Sequence, residues 1–216
     1  LQPVRVLDVG TGTGKAGRLL AARGVDLLGV EPDPRMAEVA RRHGYPVEVA
    51  TFEEWDDRGR RFDLITAAQS WHWVDPEAGG AKAFRLLNPG GHLAAFWNLG
   101  SHDPALRERL DAVYQRVAPQ LADSAALGQS EQAEAEHGRV LLRQGFAVEL
   151  REYEHQVRHT TESWVVYLRT CSDHILLPAG QREALLQAVA ATIDDAGGAV
   201  DWHLRTMLVL AARSPH

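Results

Sequence analysis

Two hydrophobic periods alternate along the first half of the chain, one typical of strands and the other of helices. The strand-like runs are short and mostly apolar, as in strands that helices cover on both faces. Between them, apolar residues recur at helical spacing, as Met36, Val39 and Ala40 do. The alternation predicts βα units wound into a parallel sheet. The predicted strands are residues 4–9, 25–30, 47–49, 62–67 and 92–97, and the predicted helices are residues 15–23, 76–87 and a helix that begins at Pro34.

After Asn98 the pattern changes to a long amphipathic stretch. Apolar residues recur at helical spacing from Leu106 to Val117, and a stretch rich in Ala, Glu and Gln continues to about Glu136. We interpret residues 101–143 as a helical insertion after the fifth strand. Beyond it, the pattern predicts strands at residues 146–157 and 202–210 and helices at residues 161–171 and 179–195.

Three glycines at alternate positions mark the turn between the first strand and the first helix. Gly10, Gly12 and Gly14 allow a tight turn, and without Cβ atoms a ligand can lie against the main chain. The same stretch contains Gly12-x-Gly14-x-x-Gly17, which formally matches the dinucleotide fingerprint. The glycine spacing alone therefore does not choose between nucleoside cofactors.

Glu31 stands at the end of the second predicted strand. A carboxylate at this place lies in the crevice at the strand ends, where it can accept hydrogen bonds from both hydroxyls of a ribose. NAD enzymes use the same device, so Glu31 does not exclude NAD. It does disfavour a ribose that carries a 2′-phosphate, and hence NADP.

The order of these signals resembles that of the class I S-adenosyl-L-methionine-dependent methyltransferases. Val6–Gly14 is similar to that family's first motif, which wraps the methionine part of the cofactor, and Val30–Met36 is similar to the second, whose acid holds the ribose. Residues 50–54 occupy the segment that usually contacts adenine, and Phe84–Gly91 resembles the family's LxPGG signature. The resemblance extends over about residues 4–98 and implies that S-adenosyl-L-methionine is the cofactor. The residues it implies for cofactor binding are Asp8, Gly10, Thr11, Gly12, Gly14, Glu31, Pro32, Met36, Thr51, Phe52 and Gln69.

The resemblance also implies the architecture. We expect a Rossmann-like α/β fold with a seven-stranded, mostly parallel sheet, helices on both faces and an antiparallel last strand. Residues 1–216 are expected to form a single methyltransferase domain, with residues 101–143 on the substrate side. The family's helices before the first strand are absent from this sequence, which predicts an open site or a truncated form. Thr51 stands where relatives often carry Asp, so adenine contact is expected to use backbone groups.

The segment after the fourth strand points to the substrate. Ala68–Asp75 (AQSWHWVD) resembles a branch of small-molecule methyltransferases often compared with trans-aconitate methyltransferase. This resemblance implies methylation of a small molecule, and we expect oxygen rather than carbon or nitrogen as the acceptor. His72 is the candidate catalytic residue, as a general base if a hydroxyl must lose its proton, with shaping of the pocket as the alternative role. The residues expected to form a substrate wall are Trp71, His72, Trp73 and Trp97.

The composition of the chain argues against several classes of binding partner. The net charge of −6 and the scattered Lys and Arg residues argue against a nucleic-acid partner. Cys171 is the single cysteine, which excludes an internal disulfide and suits a cytoplasmic location, and no run of eighteen apolar residues indicates a membrane partner. We expect a small-molecule substrate, a monomer or homodimer, and no metal, because Asp173 and His174 have no third ligand nearby in sequence.

Two other functions stay open on the sequence. An NAD-dependent oxidoreductase is supported by the dinucleotide match, although the chain has no Tyr-x-x-x-Lys pair. A catalytically silent, cofactor-binding subunit is the second alternative, because the family's N-terminal helices are absent.

Overall fold

The computed structural model describes residues 5–126 and 131–214 and contains a seven-stranded sheet with helices. The strand order is β3-β2-β1-β4-β5-β7-β6, in which β1 to β5 pair in parallel and the last strands are antiparallel. The predicted Rossmann-like class is confirmed. The strands are β1 (Arg5–Val9), β2 (Asp26–Glu31), β3 (Val47–Val49), β4 (Phe62–Ala68), β5 (Leu87–Ser101), β6 (Phe146–Thr160) and β7 (Ala199–Arg213).

Among the described residues, single helices follow β1, β2 and β4, and three helices follow each of β5 and β6. A single 3₁₀ turn at Trp71–Trp73 lies between β4 and the next helix. The helices are α1 (Gly17–Ala21), α2 (Pro34–Arg41), α3 (Pro76–Leu86), α4 (Pro104–Val117), α5 (Pro119–Ala126), α6 (Glu131–Arg143), α7 (Thr161–Leu168), α8 (Ser172–Ile175) and α9 (Ala179–Asp194).

Three of these helices begin with the same local chemistry. Asp33, Asp75 and Asp103 each precede a proline, and each carboxylate accepts a hydrogen bond from a first-turn backbone N–H. Proline at the first helical position has no N–H that needs a partner. The Asp-Pro pairs therefore fix where α2, α3 and α4 begin.

The chain divides into two compact units. One consists of the described residues within Leu1–Asn98, Glu131–Glu152 and Thr206–His216. Its largest core gathers side chains from β1, β4 and β5 with Leu141 and Phe146, and its smaller core packs α2 against β1 and β2. The other unit consists of the described residues within Leu99–Ser130 and Tyr153–Arg205. Its core packs α4, α7 and α9 together.

The boundaries differ from the prediction at particular residues. The first helix is shorter than predicted because the backbone is still turning at Gly14, where φ is +81°. The described part of residues 101–143 contains α4, α5 and α6, and α4 ends before α5 because Ala118 leaves the helical region of φ and ψ and Pro119 starts α5. This segment is divided between the two units, so a single domain with one insertion stays a prediction.

Candidate functional site

The bend after β1 is tied to the end of β2 by backbone hydrogen bonds. The amide groups of Gly10 and Thr11 both donate to the carbonyl oxygen of Val30, at 2.8 and 3.1 Å. Gly10 has φ at +64°, and a Cβ atom there would lie 2.5 Å from the Cβ of Ser70. Only glycine fits both the backbone conformation and the space at position 10.

Glu31 points toward this bend. Its Oε2 accepts a hydrogen bond from the Gly12 amide at 2.8 Å, and its Oε1 accepts one from the Asp33 amide at 3.0 Å. A carboxylate has about four acceptor positions, so both oxygens can accept further bonds. Gly12 has φ at +57° and open space where a Cβ would be. The bend and the acid thus converge on a place where a ligand can approach the main chain.

Asp8 anchors the bend through hydrogen bonds. Its buried carboxylate accepts hydrogen bonds from the hydroxyls of Thr11, at 2.6 Å, and Thr66, at 2.8 Å. The Thr11 hydroxyl also shares a hydrogen bond of 2.9 Å with the hydroxyl of Tyr45. Burial raises the pKa of Asp8, against the lowering effect of the two threonine hydroxyls. The contacts make Asp8 a residue that positions the loop, and Tyr45 is a partner that the sequence did not reveal.

The remaining cofactor candidates differ in how exposed they are. Pro32, Met36 and Thr51 are exposed. Phe52 is buried, with its ring centroid 5.8 Å from that of Trp71, so its side chain belongs to the core. Gln69 is exposed and follows β4 directly, with φ at +57°, and its backbone N–H donates to the Phe96 carbonyl of β5.

The residues expected to form the substrate wall differ sharply in exposure. Trp71 and Trp97 are each 1% exposed and lie in the core, whereas Trp73 is 82% exposed. His72 is between these extremes and contacts two of the tryptophans. Its ring centroid lies 5.0 Å from that of Trp73, and its Nδ1 accepts a hydrogen bond of 3.1 Å from the indole N–H of Trp97. Of the four, Trp73 and His72 have surface that a substrate could contact.

His137 on α6 joins this group of rings. Its imidazole stacks on Trp97 with a centroid separation of 5.7 Å and an angle of 13° between the planes. Burial lowers the pKa of His72, and the neighbouring His137 adds to the effect. Burial also lowers the pKa of His137. The sequence did not reveal His137, because its place in an amphipathic segment far from the β4 motif carries no signal of this contact.

A second polar cluster lies in the unit that holds α8. Ligand-type atoms of Cys171, Asp173 and His174 lie within 4.8 Å of one another, so the expectation that no third ligand is nearby was wrong. Both ring nitrogens of His174 are nevertheless in hydrogen bonds, Nδ1 with Asp173 at 2.7 Å and Nε2 with the hydroxyl of Tyr114 at 2.8 Å. These bonds account for the cluster as a link between α4 and α8.

Among the helices that the structure describes, none has the length and apolar character needed to cross a bilayer.

Comparison with protein families gives a match over most of the chain. A family model described as a methyltransferase domain matches residues 1–191. An uncharacterized methyltransferase of Mycobacterium tuberculosis is 43% identical over 97 residues, which are 44% of this chain and 40% of that protein. A ubiquinone biosynthesis O-methyltransferase of Alkalilimnicola ehrlichii is 35% identical over 101 residues, which are 43% of this chain and 41% of that protein. The match spans less than half the length of these relatives.

Solved structures share the fold at low sequence identity. One is phosphoethanolamine N-methyltransferase 2 of Haemonchus contortus, in complex with phosphomonomethylethanolamine and S-adenosylhomocysteine. It superimposes with a TM-score of 0.57 at 17% identity and covers 98% of this chain and 49% of its own. At this identity, the likeness concerns the fold.

Proposed function

The chain belongs to the class I S-adenosyl-L-methionine-dependent methyltransferases, and we propose that it transfers the methyl group of that cofactor to an oxygen of a small molecule. The acceptor atom is inferred from particular relatives within the family. The similarity to ubiquinone biosynthesis O-methyltransferases supports oxygen as the acceptor atom. The substrate is proposed to be a small molecule, and the protein a monomer or homodimer.

We infer the cofactor site from the convergence of Gly12 and Glu31. The hydrogen bond between them joins the bend after β1 to the acid after β2, and the open space at Gly12 leaves main-chain atoms accessible. In the proposal, the bend holds the amino-acid part of the cofactor and Glu31 accepts hydrogen bonds from the ribose hydroxyls. Asp8 keeps the bend in place through Thr11.

Methyl transfer makes few chemical demands on the protein. The sulfonium loses its positive charge in an in-line displacement, so catalysis depends on alignment of the acceptor with the methyl group and on exclusion of water. His72 and Trp73 follow β4. In a parallel sheet, ligands bind outside the carboxyl ends of the strands, which supports a substrate contact for these two residues. His72 is the proposed catalytic residue, because its ring can form a hydrogen bond with the acceptor.

Calorimetric titration with S-adenosylhomocysteine and with NAD tests the cofactor site. We expect micromolar binding of S-adenosylhomocysteine and none of NAD. Glu31→Ala should weaken binding by about 100-fold or more, because it removes the acceptor of two ribose hydroxyls and each hydrogen bond to a charged group contributes about 1.5–3 kcal/mol. Glu149→Ala is the control, since this exposed carboxylate pairs only with the nearby Arg151 among the described contacts. Equal affinity of Glu31→Ala and the intact protein, with circular dichroism unchanged, would remove Glu31 from the cofactor site.

A further inference from the structure

We propose that Trp97 and His137 are positioning residues that fix the tautomer of His72, with its proton on Nε2. His72 would then present an N–H donor to the oxygen acceptor, instead of the proton-accepting nitrogen that a general base needs. The part that concerns the substrate rests on the proposed function. The tautomer itself is a property of the chain and can be measured without a substrate.

The indole of Trp97 decides which nitrogen carries the proton. An indole N–H can only donate a hydrogen bond, and a neutral imidazole has one donor and one acceptor nitrogen. Trp97 donates to Nδ1 of His72 at 3.1 Å, so Nδ1 must supply the lone pair and Nε2 must hold the proton. Trp97 is buried, so its N–H would lose a partner that water does not readily replace if the tautomer changed.

The same contact opposes protonation of His72. An imidazolium carries a proton on each nitrogen, so its Nδ1–H would face the N–H of Trp97 and the hydrogen bond would be lost. Burial and the nearby His137 act in the same direction, because both lower the pKa of His72. The neutral Nε2–H form therefore persists as the medium becomes mildly acidic.

His137 holds the indole in the plane that this bond requires. Its ring lies nearly parallel to Trp97, at 13°, and covers a face of the indole. The neighbouring carboxylate of Glu136 raises the pKa of His137, against the larger lowering effect of burial. Trp73 also contacts the ring of His72 and brings no charge. Among the contacts described, His72 thus accepts a hydrogen bond from Trp97 and packs against Trp73, and His137 is close enough to lower its pKa.

The consequence for chemistry is a change in the expected role of His72. A neutral imidazole with its proton on Nε2 can donate to an oxygen lone pair and orient it, but that nitrogen cannot take up a proton. Its other nitrogen accepts from Trp97. His72 therefore suits alignment of an acceptor oxygen that is already deprotonated, such as a carboxylate: the C–O bond forms as the C–S bond of the sulfonium breaks, and no proton has to be removed.

Long-range ¹H–¹⁵N correlation NMR on ¹⁵N-labelled protein tests the proposal directly. His72 is assigned by comparison with His72→Gln, and its nitrogen shifts report the tautomer. In the intact protein above pH 7, we expect the Nε2–H form to exceed the Nδ1–H form by about tenfold or more, given the cost of a lost buried hydrogen bond. Trp97→Phe should remove this preference, and His137→Ala should reduce it. His137→Phe keeps a stacking ring and should restore it.

Trp73→Phe is the matched control, because Trp73 contacts His72 through its ring and not through a hydrogen bond to Nδ1. It should leave the tautomer unchanged. A predominant Nδ1–H form, or comparable amounts of the two forms in the intact protein, overturns the proposal even if Trp97→Phe does not fold. If His72 is in the Nε2–H form but the protein does not bind S-adenosylhomocysteine, the proposed function is rejected. The positioning roles of Trp97 and His137 then still stand.

Discussion

Replacement of Gly10 by alanine should destabilise the protein through two separate effects. The residue has φ at +64°, a conformation that costs an L-residue about 1–2 kcal/mol. The new Cβ would also lie 2.5 Å from the Cβ of Ser70, and overpacking of this kind costs about 1–3 kcal/mol. We therefore expect Gly10→Ala to lower the free energy of unfolding by about 2–5 kcal/mol. Gly12→Ala, with open space at its Cβ, should show the conformational cost alone.

A double-mutant cycle with Ser70→Gly isolates the overlap. Without the side chain of Ser70, the nearest remaining atom is its Cα, at 3.9 Å, which is an ordinary contact. The coupling free energy from urea unfolding should then be about 1–3 kcal/mol, with the double variant more stable than the sum of the single changes predicts. Additivity within about 0.5 kcal/mol would refute the close packing of Gly10 on Ser70.

Two further predictions concern single side chains. Trp71→Ala should lower the free energy of unfolding by about 3–5 kcal/mol, whereas Trp73→Ala should change it by less than about 0.5 kcal/mol, because only Trp71 is buried. Similar losses for the two variants would contradict this prediction. Measurement of cofactor affinity checks that the Trp73→Ala protein is otherwise intact. Asp8→Asn should cost more stability at pH 4 than at pH 8. The folded-state pKa of Asp8 is raised, so the intact protein loses stability as pH rises from about 4 through that pKa, while the variant does not. If the difference in unfolding free energy between the two proteins, measured with urea, does not change with pH, the prediction is wrong.

The first half of the fold was predictable because each element has its own local signal. The pattern predicted β3 at residues 47–49 and helices that begin at Pro34 and at residue 76, and the structure shows that Asp33 and Asp75 cap these two helices. The 3₁₀ turn at Trp71–Trp73 was missed, since three residues carry no period. The break at Pro119 was missed because the apolar stripe of α4 passes into the next helix without a change of composition.

The candidate site was predictable only where contacts are close to the motif. Glu31 and the glycines are brought together by adjacent strands, so the order of the βα units was enough. Burial of Trp71 and Trp97 depends on how side chains from several strands pack, and their aromatic character is equally compatible with a ligand wall. Tyr45 and His137 reach the site from distant segments, through a hydroxyl bond and a ring stack that no local pattern encodes.

Tyr45 also limits how this loop can change during evolution. Its hydroxyl lies where a Cβ of Gly14 would come within 2.7 Å, and it would collide with a Cβ of Gly17 as well. Because the same hydroxyl is bonded to Thr11, positions 11, 14, 17 and 45 share one steric and polar constraint. Lineages that lose the tyrosine should be the ones in which larger residues are tolerated at 17, so substitutions at these sites are expected to covary.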